Sequence, residues 1–122
     1  MKNYFFNTLL RFRKNTAIID ENENHHSYKD LDDMVNKYTQ IFKNYDLVFL
    51  IADNTLDFIV CYLSLLRSNI LVVLLDKNIK KENLINLLNL YKPNLVIKTS
   101  AYDLPINILN RIKIKKNLGI YL

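Results

Sequence analysis

Hydrophobic positions along the chain follow two patterns that alternate. Short runs of apolar and β-branched residues lie at 46–52, 70–75 and 94–99. Each run is too short for a typical helix, and a continuous apolar run is typical of a strand covered on both faces. The three runs therefore predict buried strands of a parallel sheet.

Between and before these runs, apolar residues recur every three or four positions, as on one face of a helix. Ser27 and Asp30 form an S-x-x-D capping box, which predicts a helix that continues to about residue 43. Asn54 is the predicted N-cap of a second helix, and Asp57 lies in its first turn, where the helix dipole favours an acid. The residues predicted to face inward are Leu31, Met34, Val35, Tyr38, Ile41 and Phe42 in the first of these helices and Leu56, Ile59, Val60, Leu63 and Leu66 in the second.

The last third of the chain predicts one clear helix and two weaker elements. The clear helix runs from 82 to 91 and is ended by Pro93. A short helix at 104–111 and a final strand at 119–122 follow. The inward residues of the clear helix are predicted to be Leu84, Leu87, Leu88 and Tyr91.

The N-terminal region predicts a helix over about 3–13 and then a β-hairpin formed by 16–20 and 25–28. The apolar face of that helix is predicted to comprise Phe5, Phe6, Leu9, Leu10 and Phe12. Together the elements predict an α/β fold: a βαβαβ parallel sheet with helices on both faces, preceded by the helix and the hairpin. We interpret residues 1–122 as a single α/β domain or subdomain.

The composition is typical of a soluble protein with a packed core. Half of the residues are hydrophobic, 24% are charged, and no apolar stretch reaches the about 18 residues that a membrane span needs. The N-terminus has a short apolar patch that ends in Arg11 and Arg13, without a small-residue cleavage site. We therefore expect a cytoplasmic protein that does not bind membranes. The single cysteine, Cys61, lies among apolar neighbours and is expected to be a buried core thiol.

The chain carries a formal net charge of +5, and its densest basic run is RIKIKK at 111–116. Basic runs can bind nucleic acid, but this one alternates with isoleucine and has no aromatic platform beside it. We expect no nucleic-acid partner. The run is interpreted as a solvated edge or a surface that meets further protein.

Glycine is nearly absent, since Gly119 is the only one. Phosphate-binding loops need glycine because the backbone amides must approach the ligand closely. The chain therefore contains no Walker loop and no dinucleotide-binding fingerprint.

Ligand sites of parallel sheets lie beyond the carboxyl ends of the strands. The candidates at these positions are Asp53, Asn54, Asp76, Thr99 and Ser100. A phospho-acceptor receiver domain is disfavoured because no acidic pair follows the first buried strand. Asp76 is interpreted as a structural residue at a strand end or helix cap.

His25 and His26 suggest a metal site, with Glu21 and Glu23 nearby. Adjacent side chains of an extended segment point to opposite faces, so the two imidazoles do not readily share one ion. The pair is interpreted as an exposed polar turn. No Ser-His-Asp or Cys-His arrangement is formed.

Asp32 and Asp33 follow one another on the helix that Ser27 opens. Both are predicted to lie on its outer face in contact with solvent.

Two segments in order resemble the core motifs of adenylate-forming ligases. SYKDL at 27–31 is similar to the first motif, Leu-(Thr/Ser)-Tyr-x-Glu-Leu, and LRSNILVVLLD at 66–76 is similar to the second, Leu-Lys-Ala-Gly-x-x-Tyr-(Leu/Val)-Pro-Leu-Asp. This family includes acyl-CoA synthetases, nonribosomal-peptide adenylation domains and luciferases. The resemblance covers roughly 15–98.

Among the positions that depart from the motifs, Asp30 replaces glutamate, Asn69 replaces glycine and Leu74 replaces proline. Asn69 is a mild change, because asparagine is the next-best residue for the left-handed backbone that follows a helix.

The resemblance implies an ATP- and Mg²⁺-dependent parent enzyme. Such an enzyme activates a carboxylic or amino acid as an acyl adenylate and passes the acyl group to coenzyme A or a carrier protein. The family's phosphate loop, adenylate-binding residues and catalytic lysine lie beyond this region, so no catalytic, cofactor-binding or metal-binding residue is assigned here. The chain is interpreted as the catalytically inactive N-terminal fragment of such a ligase, with the rest of the adenylation domain as its partner.

Two further expectations concern association. A fragment of a larger sheet leaves a strand edge without a partner, so the isolated chain is expected to self-associate. The alternative to a ligase fragment is a stand-alone, non-catalytic α/β interaction module.

Overall fold

A computed structural model describes residues 4–42, 44–99, 111–115 and 118–121. The chain divides into two compact units. The first, called the hairpin unit, comprises residues 1–44 and 54–69. The second, called the sheet unit, comprises residues 45–53 and 70–122. Across the described residues, every helix is too short or too polar to span a lipid bilayer.

The hairpin unit is built from a two-stranded antiparallel hairpin and helices. Its elements are α1 (Tyr4–Thr8), a 3₁₀ turn (Leu9–Phe12), β1 (Thr16–Ile19), β2 (His25–Ser27), α2 (Tyr28–Thr39) and α3 (Leu56–Arg67). The predicted hairpin is therefore confirmed, and α2 ends four residues before its predicted limit. The predicted N-terminal helix changes to 3₁₀ geometry after Thr8, which alters the side-chain spacing. Leu9 is buried, whereas Phe5, Leu10 and Phe12 are exposed, contrary to the prediction.

Helix α2 packs against α3 in the hairpin unit. Val35 of α2 and Cys61 of α3 are completely buried, as predicted for both residues. The predicted inward face of α3 is wrong in part, because Val60 is buried but Ile59, Leu63 and Leu66 are only half-buried. Their place is taken by Cys61, Ser64 and Leu65.

The hydrogen bonds of Ser64 explain why the buried face of α3 differs from the predicted face. The Ser64 hydroxyl lies 2.6 Å from the Val60 carbonyl oxygen and 3.2 Å from the Val35 carbonyl oxygen. A serine that donates to its own helix carries no unsatisfied polar atom into the interior. Its small side chain therefore faces α2, although a hydrophobic pattern does not identify it.

The sheet unit contains a five-stranded sheet in the order β4-β3-β5-β7-β6. Its elements are β3 (Leu47–Ile51), β4 (Leu71–Leu75), α4 (Lys81–Tyr91), β5 (Leu95–Thr99), β6 (Arg111–Lys115) and β7 (Leu118–Tyr121). Strand β3 is parallel to both β4 and β5, which confirms the predicted parallel strands. Strand β7 is antiparallel to β5 and to β6, so the whole sheet is mixed. The final strand was predicted, whereas β6 lies where the sequence showed only a basic run; the helix predicted at 104–111 lies mostly outside the described residues.

One core cluster holds α4 against the sheet. It consists of Phe49, Ile51, Leu75, Leu84 and Val96, with partly buried Leu47, Val73, Ile79, Leu87 and Leu88 around it. The prediction that β4 is buried on both faces is wrong: Leu71 is 66% exposed and Leu74 is 49% exposed. Tyr91 was predicted to face inward but is mostly exposed, with its ring centre 6.5 Å from that of Phe49.

Candidate functional site

The carboxyl ends of β3 and β4 meet at one edge of the sheet. The Ala52 amide donates to the Leu75 carbonyl at 2.7 Å, which brings the following Asp53 and Asp76 to the same edge. Asp76 accepts the Asn78 amide on Oδ1 at 2.8 Å, and its carbonyl accepts the Ile79 amide at 3.0 Å. These bonds form a tight turn of the kind that aspartate stabilises. They support the structural role proposed for Asp76 from the sequence.

The remaining strand-end candidates are Asn54, Thr99 and Ser100. Asn54 belongs to the hairpin unit, and the predicted cap of α3 is wrong by one residue. The N-cap is Thr55, whose Oγ1 accepts the Phe58 amide at 3.2 Å. Thr99 ends β5, and Ser100 lies outside the described residues.

The two histidines have different partners. His26 Nε2 lies 2.8 Å from the Asp20 carboxylate, and His25 Nδ1 lies 3.4 Å from the Thr16 hydroxyl. Within residues 4–42, 44–99, 111–115 and 118–121, no group of three or more His, Cys, Asp and Glu side chains could hold a metal ion.

Asp20 closes the hairpin loop and was missed by the sequence analysis. Besides His26, its carboxylate accepts the backbone amides of Asn22 and Asn24, each at 2.9 Å. The His26 hydrogen bond, with help from the backbone amide of Asn24, lowers the pKa of Asp20 to about 2. The pattern of an aspartate with asparagines two and four positions later is the signal that could have identified this turn.

An open cavity of about 290 Å³ lies between the end of β1 and the start of α3. Its lining combines apolar and polar residues: Ile18, Ile19, Asp20, Glu21, Asn54, Thr55, Leu56 and Ile59. A helix N-terminus attracts anions, but here the Thr55 hydroxyl already accepts one of the first amides and Asp57 lies in the first turn. Two acids in the lining add negative charge, so the cavity is poorly suited to phosphate.

A largely buried ion pair joins α2 to α3. Arg67 Nη2 donates to Asp32 Oδ1 at 2.6 Å, with both side chains less than 20% exposed. Arg67 Nη1 donates to the Asn36 side chain, and the guanidinium lies 4.4 Å from the centre of the Phe6 ring. The prediction that Asp32 is solvated is therefore wrong. Asp33 is exposed as predicted and pairs with Lys29 at 2.8 Å.

This ion pair connects the two motif regions. Arg67 belongs to the segment 66–76, and Asp32 directly follows the segment 27–31. The predicted capping box is present: the Asp30 amide donates to Ser27 Oγ at 3.1 Å, and the Ser27 amide donates to Asp30 Oδ2 at 3.0 Å. The Ser27 backbone amide, followed by the Ser27 side chain, lowers the pKa of Asp30, and the capping box begins α2 at Tyr28. The first motif thereby sets which face of α2 carries Asp32.

The second motif also contains a confirmed backbone feature. Asn69 has φ 57°, in the left-handed region predicted for this position. Its amide donates to the Leu66 carbonyl at 3.1 Å, which ends α3 and turns the chain toward β4.

Glycine, which phosphate-binding loops require, occurs once in the sequence. Gly119, the only glycine, lies within β7 and is paired with Lys98 and Lys113. It therefore does not belong to a strand-to-helix loop of the kind that cradles phosphates.

Comparison with known proteins identifies the family. The sequence model described as "AMP-binding enzyme" matches residues 5–119. The solved structure of a luciferase-like enzyme from the nonluminescent mealworm Zophobas morio matches with a TM-score of 0.63 and 19% identity, over 76% of this chain. The match covers 24% of the mealworm chain, and at this identity it shows a shared fold alone. No curated protein matches the sequence. Because the family match extends over nearly the whole chain, this protein belongs to the AMP-binding enzyme family.

Proposed function

We propose that the chain is the N-terminal scaffold portion of an ATP-dependent adenylate-forming ligase. The complete enzyme activates a carboxylic or amino acid as an acyl adenylate in the cytoplasm and transfers it to a thiol. The observation that carries this proposal is the Arg67–Asp32 ion pair, which links the two motif regions of a chain matched by the family over 5–119. Residues 1–122 form one structural part of that enzyme.

The proposed roles of this chain and of the rest of the enzyme follow from the residues that this chain contains. The scaffold contributes a parallel sheet and the helix pair α2–α3, while the rest of the adenylation domain binds ATP and Mg²⁺. Coenzyme A or a carrier protein is the proposed acceptor. The presence of a single glycine supports this division, since a phosphate loop needs several.

An exchange assay tests the proposal. The 122-residue chain is incubated with ATP, Mg²⁺, labelled pyrophosphate and panels of carboxylic and amino acids. We expect no exchange above the protein-free blank. Exchange by this chain alone would show that it holds a complete active site and would contradict the scaffold role.

A second test of the proposal is to sequence the encoding gene past codon 122. We expect a Thr/Ser/Gly-rich loop followed by Pro-Lys in the same reading frame. The longer protein should then exchange pyrophosphate with at least one acid, and the same protein with Arg67→Met should exchange more slowly. A stop codon directly after residue 122 would contradict the ligase proposal.

The second candidate is a stand-alone, non-catalytic interaction module. The exposed apolar surface of strand β4 favours it, because such surfaces mark protein-binding sites. The gene sequence distinguishes the two candidates, since the module requires no downstream adenylation residues.

A further inference from the structure

We propose that the free edge of β4 pairs with β4 of a second copy of this chain, antiparallel and about a two-fold axis at Val73. The two sheets would then form one continuous sheet. This inference concerns association and does not depend on the ligase proposal.

Strand β4 has hydrogen-bonding groups on its free side. It is the first strand in the order β4-β3-β5-β7-β6, and none of the described strands pairs with it opposite β3. On the β3 side, the Leu71 amide donates to the Asp46 carbonyl at 3.0 Å and the Leu75 carbonyl accepts the Ala52 amide at 2.7 Å. Successive residues of a strand direct their N–H and C=O groups to alternate sides. Val72 and Leu74 therefore direct theirs to the free edge.

The side chains of β4 do not protect this edge. The strand reads LVVLL, without charge, proline or glycine, and Leu71 and Leu74 are exposed. The opposite edge of the sheet is β6, whose sequence RIKIK contains Arg111, Lys113 and Lys115. Natural edge strands commonly carry such cations because these oppose pairing with another chain. Of the two edge strands of the described sheet, β6 has these cations in its sequence and β4 has none, so two copies would meet through β4.

Strand β4 is complementary to itself in the antiparallel direction. With Val73 on the axis, Val72 lies opposite Leu74 of the second copy, and these two residues can exchange both N–H···O bonds. Leu71 then lies opposite Leu75 of the second copy. All five cross-strand pairs are apolar, and each of the two exposed leucines gains a less exposed partner. A shift of the register by one residue would place free donors opposite groups already bonded to β3.

The same surface on both copies gives a closed interface, so association stops at a dimer. A heterologous contact between β4 and β6 would instead continue into open chains of molecules. The expected species is therefore a dimer without larger assemblies.

Sedimentation equilibrium over a concentration series tests the dimer. Two variants weaken the pairing: Leu74→Lys places a charge at the interface, and Val72→Pro removes an amide that faces the free edge but no amide that bonds to β3. Each should raise the dimer dissociation constant by about tenfold or more. The matched control is Leu90→Lys, which adds the same charge at a leucine of α4 that is 70% exposed. It should leave the dissociation constant unchanged.

Hydrogen exchange of the unmodified chain gives a readout that does not rely on mutants. The amides of Val72 and Leu74 should be protected at high protein concentration and exchange rapidly at low concentration. A chain that stays monomeric, a dimer dissociated by Leu90→Lys alone, or protection of these amides in the monomer would each overturn the proposal. Because pyrophosphate exchange is measured separately, failure of the dimer and failure of the ligase proposal give different results.

Discussion

Different kinds of interaction stabilise the interior of each of the two units. The hairpin unit depends on charged and polar side chains: Asp20 closes its hairpin, the Ser27–Asp30 box begins α2, and Arg67 joins α2 to α3 through Asp32. The sheet unit depends on apolar packing of α4 against β3 and β4, around Phe49 and Leu84. The polar unit should therefore respond to charge and pH, and the apolar unit to side-chain volume. Both kinds of contact come from one short chain, so the difference can be tested in a single molecule.

The largest effect is expected from Phe49→Ala in the sheet unit. Phe49 is completely buried, and loss of its ring leaves a cavity that the strands cannot fill. The free energy of unfolding should fall by about 4 kcal/mol, measured by urea denaturation. Leu90→Ala is the control, since that exposed leucine should change stability by less than about 0.5 kcal/mol. Equal losses in the two variants would show that the apolar cluster does not hold the sheet unit.

The next effect is expected from Asp32→Ala in the hairpin unit. Removal of this carboxylate leaves Arg67 largely buried without its ionic partner, which should lower the free energy of unfolding by about 2 kcal/mol. Asp33→Ala is a matched control one position away, because its pair with Lys29 is solvated and contributes little. A double-mutant cycle with Arg67→Met isolates the coupling between the two side chains. If Asp32→Ala and Asp33→Ala are equally mild, the ion pair does not stabilise the unit.

A smaller effect is expected at Asn69, which joins α3 to β4. Its left-handed backbone should make Asn69→Ala less stable by about 1 kcal/mol. Asn69→Gly should be neutral or slightly stabilising, since glycine adopts this conformation freely. Thermal unfolding of the three proteins tests this ranking. The alanine variant should unfold at the lowest temperature, and the glycine variant at the temperature of the unmodified protein or slightly above it. A more stable alanine variant would contradict the left-handed assignment.

The smallest effect is expected from acid, and it should be confined to the hairpin unit. The pKa of Asp20 is lowered from 3.8 to about 2, so the unfolded chain binds this proton more readily than the folded chain. The stabilisation from its carboxylate is complete above pH 3.8 and is lost as the pH falls toward about 2. Amide exchange between those pH values should reveal earlier opening of the hairpin amides than of the β3 amides.

Asp20→Asn should remove this acid-dependent step, whereas Glu21→Gln, which changes the exposed neighbouring acid, should retain it. An unchanged pH dependence in Asp20→Asn would assign the step to another group.

Features with local causes could be predicted from the sequence. The capping box needs only Ser27 and Asp30, three positions apart, and both of its hydrogen bonds are present. The left-handed turn at Asn69 needs only the end of one helix and a residue that tolerates positive φ. The three apolar runs likewise required strands, because no helix of that length could bury them. The motif regions indicated the family because the two motifs follow one another along the chain in the same order as in the family.

Features with distant causes could not be predicted in this way. Asp32 and Asp33 are equivalent by local pattern, and only Arg67, 35 positions away, makes the first a buried partner. Ser64 does not belong to the hydrophobic face that the pattern predicts. It is nevertheless buried, because its hydroxyl donates to the Val35 carbonyl of the neighbouring helix.

The sequence by itself determined the order of the elements from β1 to β5, the start of α2, the turn at Asn69 and the family. Each depends on residues that are close together in the chain or on their order. Only the tertiary structure decided that β4 is an edge strand and that Arg67 joins the two motif regions. Strand order and burial depend on which distant segments meet, because a hydrophobic pattern shows that a side chain needs cover but not which part of the chain supplies it.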